Sequence, residues 1–433
     1  MTDAVHAAVH AEIDRRRDEI VSFLSDLVRF PSVNRPPRGD ELACQQFIER
    51  YYRDMALEVD VFQPDEIPNI DASPGWWPGS DFTDRPNVIG TRRGAGAGRS
   101  LLLLAHVDVV PEGPHELWRY GPFNPVVEDG ALIGRGSADD KAGIAAQTMA
   151  LRCVEAAGFR SRGDVIVASV VDEESAGANG TLAALLRPHL ADGCVYTDGM
   201  QNEIHVAQLG GVNFDIEIQL HPDFAGTTID NAMEIMLAFY QELKQYTAER
   251  KEKINADPRY AGGRWPNYAV RIMAFQTGAF DGGNAGGGRI RGSAYILPGE
   301  SIPEIQQEIE ERIMRVAESF GERLLPPRMT PFGRVMPPSA VNVSDPFVGV
   351  VAASYERATG LPAQRTGMPM SDLFQFLLYS PRPMPTVAMG CATWGGAGGV
   401  HEPNEAVLID EHLIPFTKTL ASLIIDWCGI EPA

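Results

Sequence analysis

The sequence predicts an α/β protein: a mixed, mostly parallel sheet flanked by helices, interrupted by an inserted two-layer α+β domain. Three observations point there. LLLLAHVDVV (101–110) is a continuous apolar run ending in a polar pair. Such a run reads as a strand buried on both faces, as in a parallel sheet covered by helices. DVIVASVVDEES (164–175) and GCVYTDG (193–199) repeat the pattern, apolar strands ending in acids. From about Gly211 the style changes to alternating strands and long helices, then changes back, which divides the chain into 1–210, 211–337 and 338–433.

In chain order, residues 3–29 read as one long amphipathic helix stopped by Pro31. Residues 39–56 read as a second, with Leu42, Phe47, Ile48, Tyr51 and Met55 near helical spacing. LEVDVF (57–62) is a short strand. A long Pro-, Gly- and Asp-rich loop carrying Trp76 and Trp77 follows, its tryptophans expected to pack beneath it. NVIGTRRG (87–94) and the 101–110 strand look like a hairpin about GAGAGRS. Those glycines fit a turn better than a phosphate cradle, because the dinucleotide fingerprint is absent. VNFDIEIQL, a helix from NAMEIM onward, RIRGSAYILP (289–298) and a helix over 303–324 make up the inserted domain. FVGVVAASYERATG (347–360) returns to the first style.

The whole chain limits the function. Its 433 residues are ample for a large core, and its net charge of -21 argues against nucleic acid or anionic membrane as partners. The five cysteines are dispersed without a CxxC, as expected of reduced thiols in a cytoplasmic protein. The polar, acidic N-terminus has no apolar core of signal-peptide length, and no stretch approaches a membrane span.

The chemistry gathers at strand ends and turns. His106 and Asp108 point the same way from one strand's carboxyl end, where α/β sheets place their ligands. Asp139 and Asp140 stand in GRGSADDKAG, Glu173 and Glu174 in VDEES, Asp198 in YTDG and His401 in GGVHEPNE. Singly, each has an ordinary explanation: a helix cap, a solvated turn, a loop histidine. Together, imidazole and carboxylate without thiolate suit a hydrolytic metal site better than a structural one.

HVDVVP, then Trp118 and GPF, GRGSADDKAG, DEES with GTLAAL, the strand-end Asp198 and HEPNE resemble, in order, the co-catalytic zinc deacylase and exopeptidase family. That family includes acetylornithine deacetylase, succinyl-diaminopimelate desuccinylase, aminoacylase, carnosine dipeptidase and carboxypeptidase G. The resemblance implies two zinc ions, with cobalt or manganese able to substitute. His106 and Asp198 would bind one, Glu174 and His401 the other, and Asp139 would bridge them. Asp108 would orient His106, and Glu173 would be the general base. The Asp139–Asp140 peptide would be cis.

The inserted domain would act as lid and homodimer interface. His221 from it would stabilise the oxyanion in the partner's site, although Pro222, Asp223 and Phe224 depart from the family's small residues there. For substrate binding, the resemblance draws attention to the glycine-rich loop 391–405, Arg289, Arg291 and Asn284. Ser371 and Asp372 match the family's helix-start signature, with Asp372 a cap or anchor. The aromatic segments 75–77 and 264–268 hint at a larger or more apolar substrate than acetylornithine.

The implied function is metal-dependent hydrolysis of an N-acyl amino acid or related small amide. Dipeptidase or carboxypeptidase action at the same site is the alternative. A non-catalytic binding protein of this fold is disfavoured, because base and ligands are all present. The remaining histidines, His6, His10, His115, His189, His205 and His412, are expected to be surface or packing residues.

Overall fold

The computed structural model describes residues 2–175, 177–200, 203–223, 232–261, 269–277, 286–393 and 398–433. The chain forms two compact units, one of Met1–Val206, Val341–Thr366 and Ser371–Ala433, the other of Ala207–Ala340 and Gly367–Met370.

The first unit begins with helices α1 (Thr2–Arg15), α2 (Arg17–Val28) and α3 (Leu42–Asp54). Strands β1 (Glu58–Phe62), β2 (Asn87–Arg92) and β3 (Leu101–His106) follow. Helix α4 (Lys141–Ala156), β4 (Val165–Val170), α5 (Asn179–Leu186) and β5 (Cys194–Tyr196) complete its first pass. In the second unit β6 (Gly210–Gln219), α6 (Ala232–Ala256), β7 (Val270–Thr277), β8 (Gly287–Ile296), α7 (Ile302–Phe320) and β9 (Arg328–Pro331) follow one another. The chain then returns to the first unit through α8 (Pro346–Thr359), β10 (Thr386–Ala388) and α9 (Ile414–Leu423).

Six neighbouring strands of the nine-stranded sheet lie in the first unit in the order β10-β5-β3-β4-β2-β1, and Ile204–Gln208 pairs antiparallel on the other side of β10. The first four strands are mutually parallel, with Val387, Val195, Leu103 and Val167 in register. β2 and β1 add antiparallel at one side. Every residue of β3 and β4 is buried, which is why their sequences are apolar without alternation. Helix α4 is buried from Lys141 to Leu151, then at Cys153 and Val154, and packs on β3 and α9. The parallel strands therefore end together at their carboxyl side, carrying His106 and the residues after Val170 and Tyr196.

Caps set the helix ends. Asp345 accepts the Phe347 amide at the start of α8, which ends on Gly360 at φ 71°. Ser301 and Glu304 close a reciprocal capping box at the start of α7. In the second unit β7-β8-β6-β9 form an antiparallel sheet, with β7 and β9 at its edges. Its core joins Phe214, Ile216 and Ile290 of the sheet to Phe239 and Leu243 of α6 and to Ile305 and Ile309 of α7.

Three sequence expectations are corrected. The expected hairpin of 87–94 with 101–110 does not form, because β4 lies between β2 and β3 and pairs with both. The glycine turn between them packs on the backbone of Arg162 and Gly163, which Cβ atoms at Gly94 and Gly98 would strike. The long first helix is interrupted at Arg16, where ψ is 13°. The second starts only at Leu42, because residues 38–39 pair with 34–35.

The five cysteines are buried free thiols. Among the described residues, no helix is long and apolar enough to cross a membrane.

Candidate active site

His106 is the last residue of β3 and is wholly buried. Its Nδ1 lies 2.9 Å from the backbone carbonyl of Asp108, an oxygen that can only accept. Nδ1 therefore donates there, and Nε2 faces inward, 2.9 Å from Asp139 Oδ1. The Asp108 carboxylate is not the atom that orients this ring, lying 3.7 Å from Nδ1. It accepts instead from the amides of Glu173 (3.3 Å) and Glu174 (3.0 Å) and from Asn34 Nδ2 (2.8 Å). The difference is physical: two consecutive amides exposed by the turn after β4 need an acceptor, and Asp108 is the buried carboxylate that reaches them.

Asp139 sits before α4, joined to Asp140 by a cis peptide as the resemblance implied. Asp140 caps α4 by accepting the Gly143 amide at 3.2 Å and also accepts from Thr197 Oγ1 at 2.9 Å. Asp139 Oδ2 lies 3.3 Å from His401 Nε2, which is 3.0 Å from Glu174 Oε2. His401 adopts a left-handed φ of 65°. Asp198, two residues beyond β5, accepts from Tyr196 Oη at 3.0 Å.

The turn carrying Glu173 and Glu174 is held by Asp172, at φ 72°. The Asp172 carboxylate accepts from Ser175 Oγ at 3.0 Å, Ser80 Oγ at 3.1 Å and Asn179 Nδ2 at 2.9 Å. Asn179 in turn exchanges two hydrogen bonds with the backbone of Trp77, each 2.8 Å. Trp76 packs against Phe82 with ring centroids 5.6 Å apart and planes tilted by 48°, so the tryptophan loop is internally packed.

Two groups of candidate ligand atoms result, each drawn together within 4.8 Å: His106, Asp139 and Asp198, and Asp139, Glu174 and His401. Asp139 belongs to both, and Glu173 to neither. Burial raises the carboxyl pKa of Glu173 well above its ordinary value, with Asp372, Asp198 and Glu174 adding to the rise against the pull of His106. Burial also raises Glu174, helped by Asp139. Asp198 is pushed up to about 7 by burial and by Asp139. Asp139 is drawn the other way: burial opposes its charge, but hydrogen bonds from His106 and His401 hold it below the usual carboxylate range. His401, opposed by burial, is raised to about 12 by Glu174 and Asp139. Half-buried carboxylates that resist ionising together, with two imidazoles and no thiolate, fit a pair of divalent cations of the zinc type.

Other sequence candidates belong to neither of these groups. His221, in the second unit, is half-exposed and accepts the Asp223 amide at Nδ1, 3.3 Å away. Arg289 and Arg291 both pair with Asp215, Arg291 at 2.8 Å. Asp372 accepts from Thr181 Oγ1 at 2.5 Å and so acts as an anchor for α5. Asn284, Phe224 and segments 264–268 and 394–397 lie outside the described residues. Of the remaining histidines, His6 and His205 are buried and hydrogen-bonded, and His115 is exposed.

Sequence reasoning did not find Asn34, Asp172 or Glu405. Glu405 stands in the same HEPNE segment as His401, which was the available signal.

The chain is 25% identical over 458 residues to N-formyl-4-amino-5-aminomethyl-2-methylpyrimidine deformylase of Bacillus subtilis (strain 168), covering 98% of this chain and 97% of the relative. It is 30% identical over 295 residues to succinyl-diaminopimelate desuccinylase of Psychromonas ingrahamii, covering 65% and 66%. The fold matches human carnosine dipeptidase 1 with a TM-score of 0.70 at 16% identity, covering 98% of this chain and 99% of the other. The model of peptidase family M20/M25/M40 matches residues 102–426, three quarters of the chain. The chain therefore belongs to peptidase family M20/M25/M40 and is a hydrolase of carbon–nitrogen bonds.

Proposed function

We propose that this protein hydrolyses the amide of a small N-acylated amine, an N-acyl amino acid or a related N-formyl amine, with two bound zinc ions. The observation that carries this reading is the pair of ligand groups sharing Asp139, with Glu173 beside them in neither. His106, Asp139 and Asp198 would hold one cation and Asp139, Glu174 and His401 the other, with cobalt or manganese able to substitute. When bound, the cations polarise the amide carbonyl and acidify a water.

The chain's own residues do the rest. Glu173, a buried carboxyl of raised basicity, takes the proton of the attacking water and delivers it to the departing amine. Asp108 fixes the turn from which Glu173 projects. His221 donates to the oxyanion developing on the substrate carbonyl, reaching the site of a second copy. A dimer through the second unit is supported by its edge strand β7, which exposes Met273 and Phe275, and by exposed Met233 and Leu237 on α6. Five buried thiols suit a reducing, cytoplasmic compartment.

The relative named as a pyrimidine deformylase, matched over nearly the full chain, supports a one-carbon acyl group; the desuccinylase relative supports a larger one. The test is amine release from N-formyl, N-acetyl and N-succinyl amino acids, an N-formylated aminopyrimidine and dipeptides, with zinc or cobalt and with chelator. Chelator-sensitive release from one acyl class supports the proposal and names the acyl group. Release of two amino acids from dipeptides alone makes the protein an exopeptidase instead. Silence across the panel by metal-loaded protein would remove this substrate class.

A further inference from the structure

We infer that Glu405 is a positioning residue that holds Asp139 in place to serve both cation positions, and that its loss weakens one position selectively. The inference rests on the two-cation reading above.

Glu405 is 1% exposed and Arg135, its ion-pair partner, 2%. Arg135 Nη1 donates to Glu405 Oε2 at 2.7 Å, and the guanidinium lies 5.2 Å over the Trp118 ring. The other oxygen, Oε1, accepts two consecutive amides, Ala138 N–H and Asp139 N–H, each at 3.1 Å. The Glu405 backbone carbonyl accepts the Gly134 amide at 2.8 Å and Ser137 Oγ at 3.3 Å. The next residues, Ala406–Leu408, pair antiparallel with Ala131–Ile133.

A carboxylate taken wholly out of water needs strong compensation. Here one oxygen meets a guanidinium and the other meets the main chain of the residue common to both ligand groups. Glu405 therefore fixes where the Asp139 backbone sits, and through it the aim of the shared carboxylate. It also stands four residues after His401. In the group of Asp139, Glu174 and His401, two of three members are tied to Glu405, one by a hydrogen bond and one by a short stretch of chain. In the group of His106, Asp139 and Asp198, only Asp139 is. Displacing Glu405 Oε1 should disturb the first group more.

Two variants separate positioning from simple ion pairing. Glu405→Asp keeps the charge beside Arg135 but draws the oxygen back from the two amides. Glu405→Gln combined with Arg135→Met keeps a full-length acceptor for the amides and removes both charges. Cobalt titrations in competition with a chromophoric chelator, with near-ultraviolet circular dichroism as the folding control, read the two equivalents independently of turnover.

We expect Glu405→Asp to bind one equivalent within about threefold of wild type and the other about tenfold or more weakly. We expect the double variant to bind both within about threefold. Equal losses at both equivalents, or wild-type affinity for both, in Glu405→Asp overturns the inference. Should Glu405→Asp not fold, a tenfold loss of either equivalent in a folded double variant overturns it, and retention of both supports it. Should the double variant not fold, Glu405→Asp decides alone. Failure of the wild-type protein to bind cobalt would instead defeat the two-cation reading.

Discussion

The paired acids of the second unit and the clustered acids of the candidate site are treated in opposite ways. In the second unit, Asp215 meets Arg289 and Arg291, whose hydrogen bonds hold it down at about 2. Glu300 meets Arg250 and Lys253 and is likewise held near 2 against burial. At the candidate site, burial and neighbouring carboxylates raise Asp198, Glu173 and Glu174, against the pull of His106 and, on Glu174, of His401. The residue types are the same; what differs is whether the chain supplies the cation. An acid paired with an arginine contributes to its own fold. A cluster in which acids outnumber the two histidines is costly to keep without a ligand that supplies further positive charge.

The strongest test of this contrast is Glu173→Gln. It removes the proton acceptor without removing a ligand. We expect kcat to fall by about 10²–10⁴-fold with metal content unchanged, measured by turnover and metal analysis on the same sample. Near-normal turnover would take the base role away from Glu173. His221→Ala asks whether the second unit is only a scaffold. A lost oxyanion donor should lower kcat by about 10²–10³-fold with both metals retained. Mixing it with Glu173→Gln protein should restore activity if the histidine serves a partner's site; no recovery in demonstrated mixed dimers would rule that out.

Asp108→Asn sharpens the contrast within the first unit. If Asp108 mainly oriented His106, metal affinity would fall. The hydrogen bonds instead put its carboxylate on the amides of Glu173 and Glu174, while its carbonyl holds His106. Asparagine keeps that carbonyl but turns a donor toward amide donors. We expect turnover to drop by about 10–100-fold with metal affinity nearly unchanged. A loss of metal with proportionate loss of turnover would return Asp108 to the orienting role.

The reason some features were legible in sequence and others were not follows from where information sits. A strand buried on both faces leaves an unbroken apolar run, so β3 and β4 are plain, and a polar residue ending such a run advertises a site. His106, Glu174 and Asp198 are visible for that reason. Strand order is different: nothing near Asn87 or Leu101 encodes that Val165–Val170 will come between them. Positioning bonds are also hidden. Asp108 and Glu405 act on backbone amides, which every residue except proline carries, so no residue pattern marks their targets. Nor does the sequence mark that Arg289 and Arg291 pair with Asp215 of the neighbouring strand.

The smallest effect belongs to the second unit's own electrostatics. Burial opposes the charge of Glu300, but hydrogen bonds from Arg250, Lys253 and the Leu297 amide lower its pKa from an ordinary 4.5 to about 2. A carboxyl depressed on folding stabilises the protein above its unfolded value and loses that contribution as pH falls through its folded value. The window is therefore between about 4.5 and 2. With solvent screening of this partly open pair, the contribution is about 1 kcal/mol. Glu300→Gln should flatten the acid dependence of the second unit's thermal midpoint in that window and leave the metal-binding affinity of the first unit unchanged. A steeper acid dependence in the variant would show that Glu300 opposes the fold, and the contrast between paired and clustered acids would then fail at its simplest point.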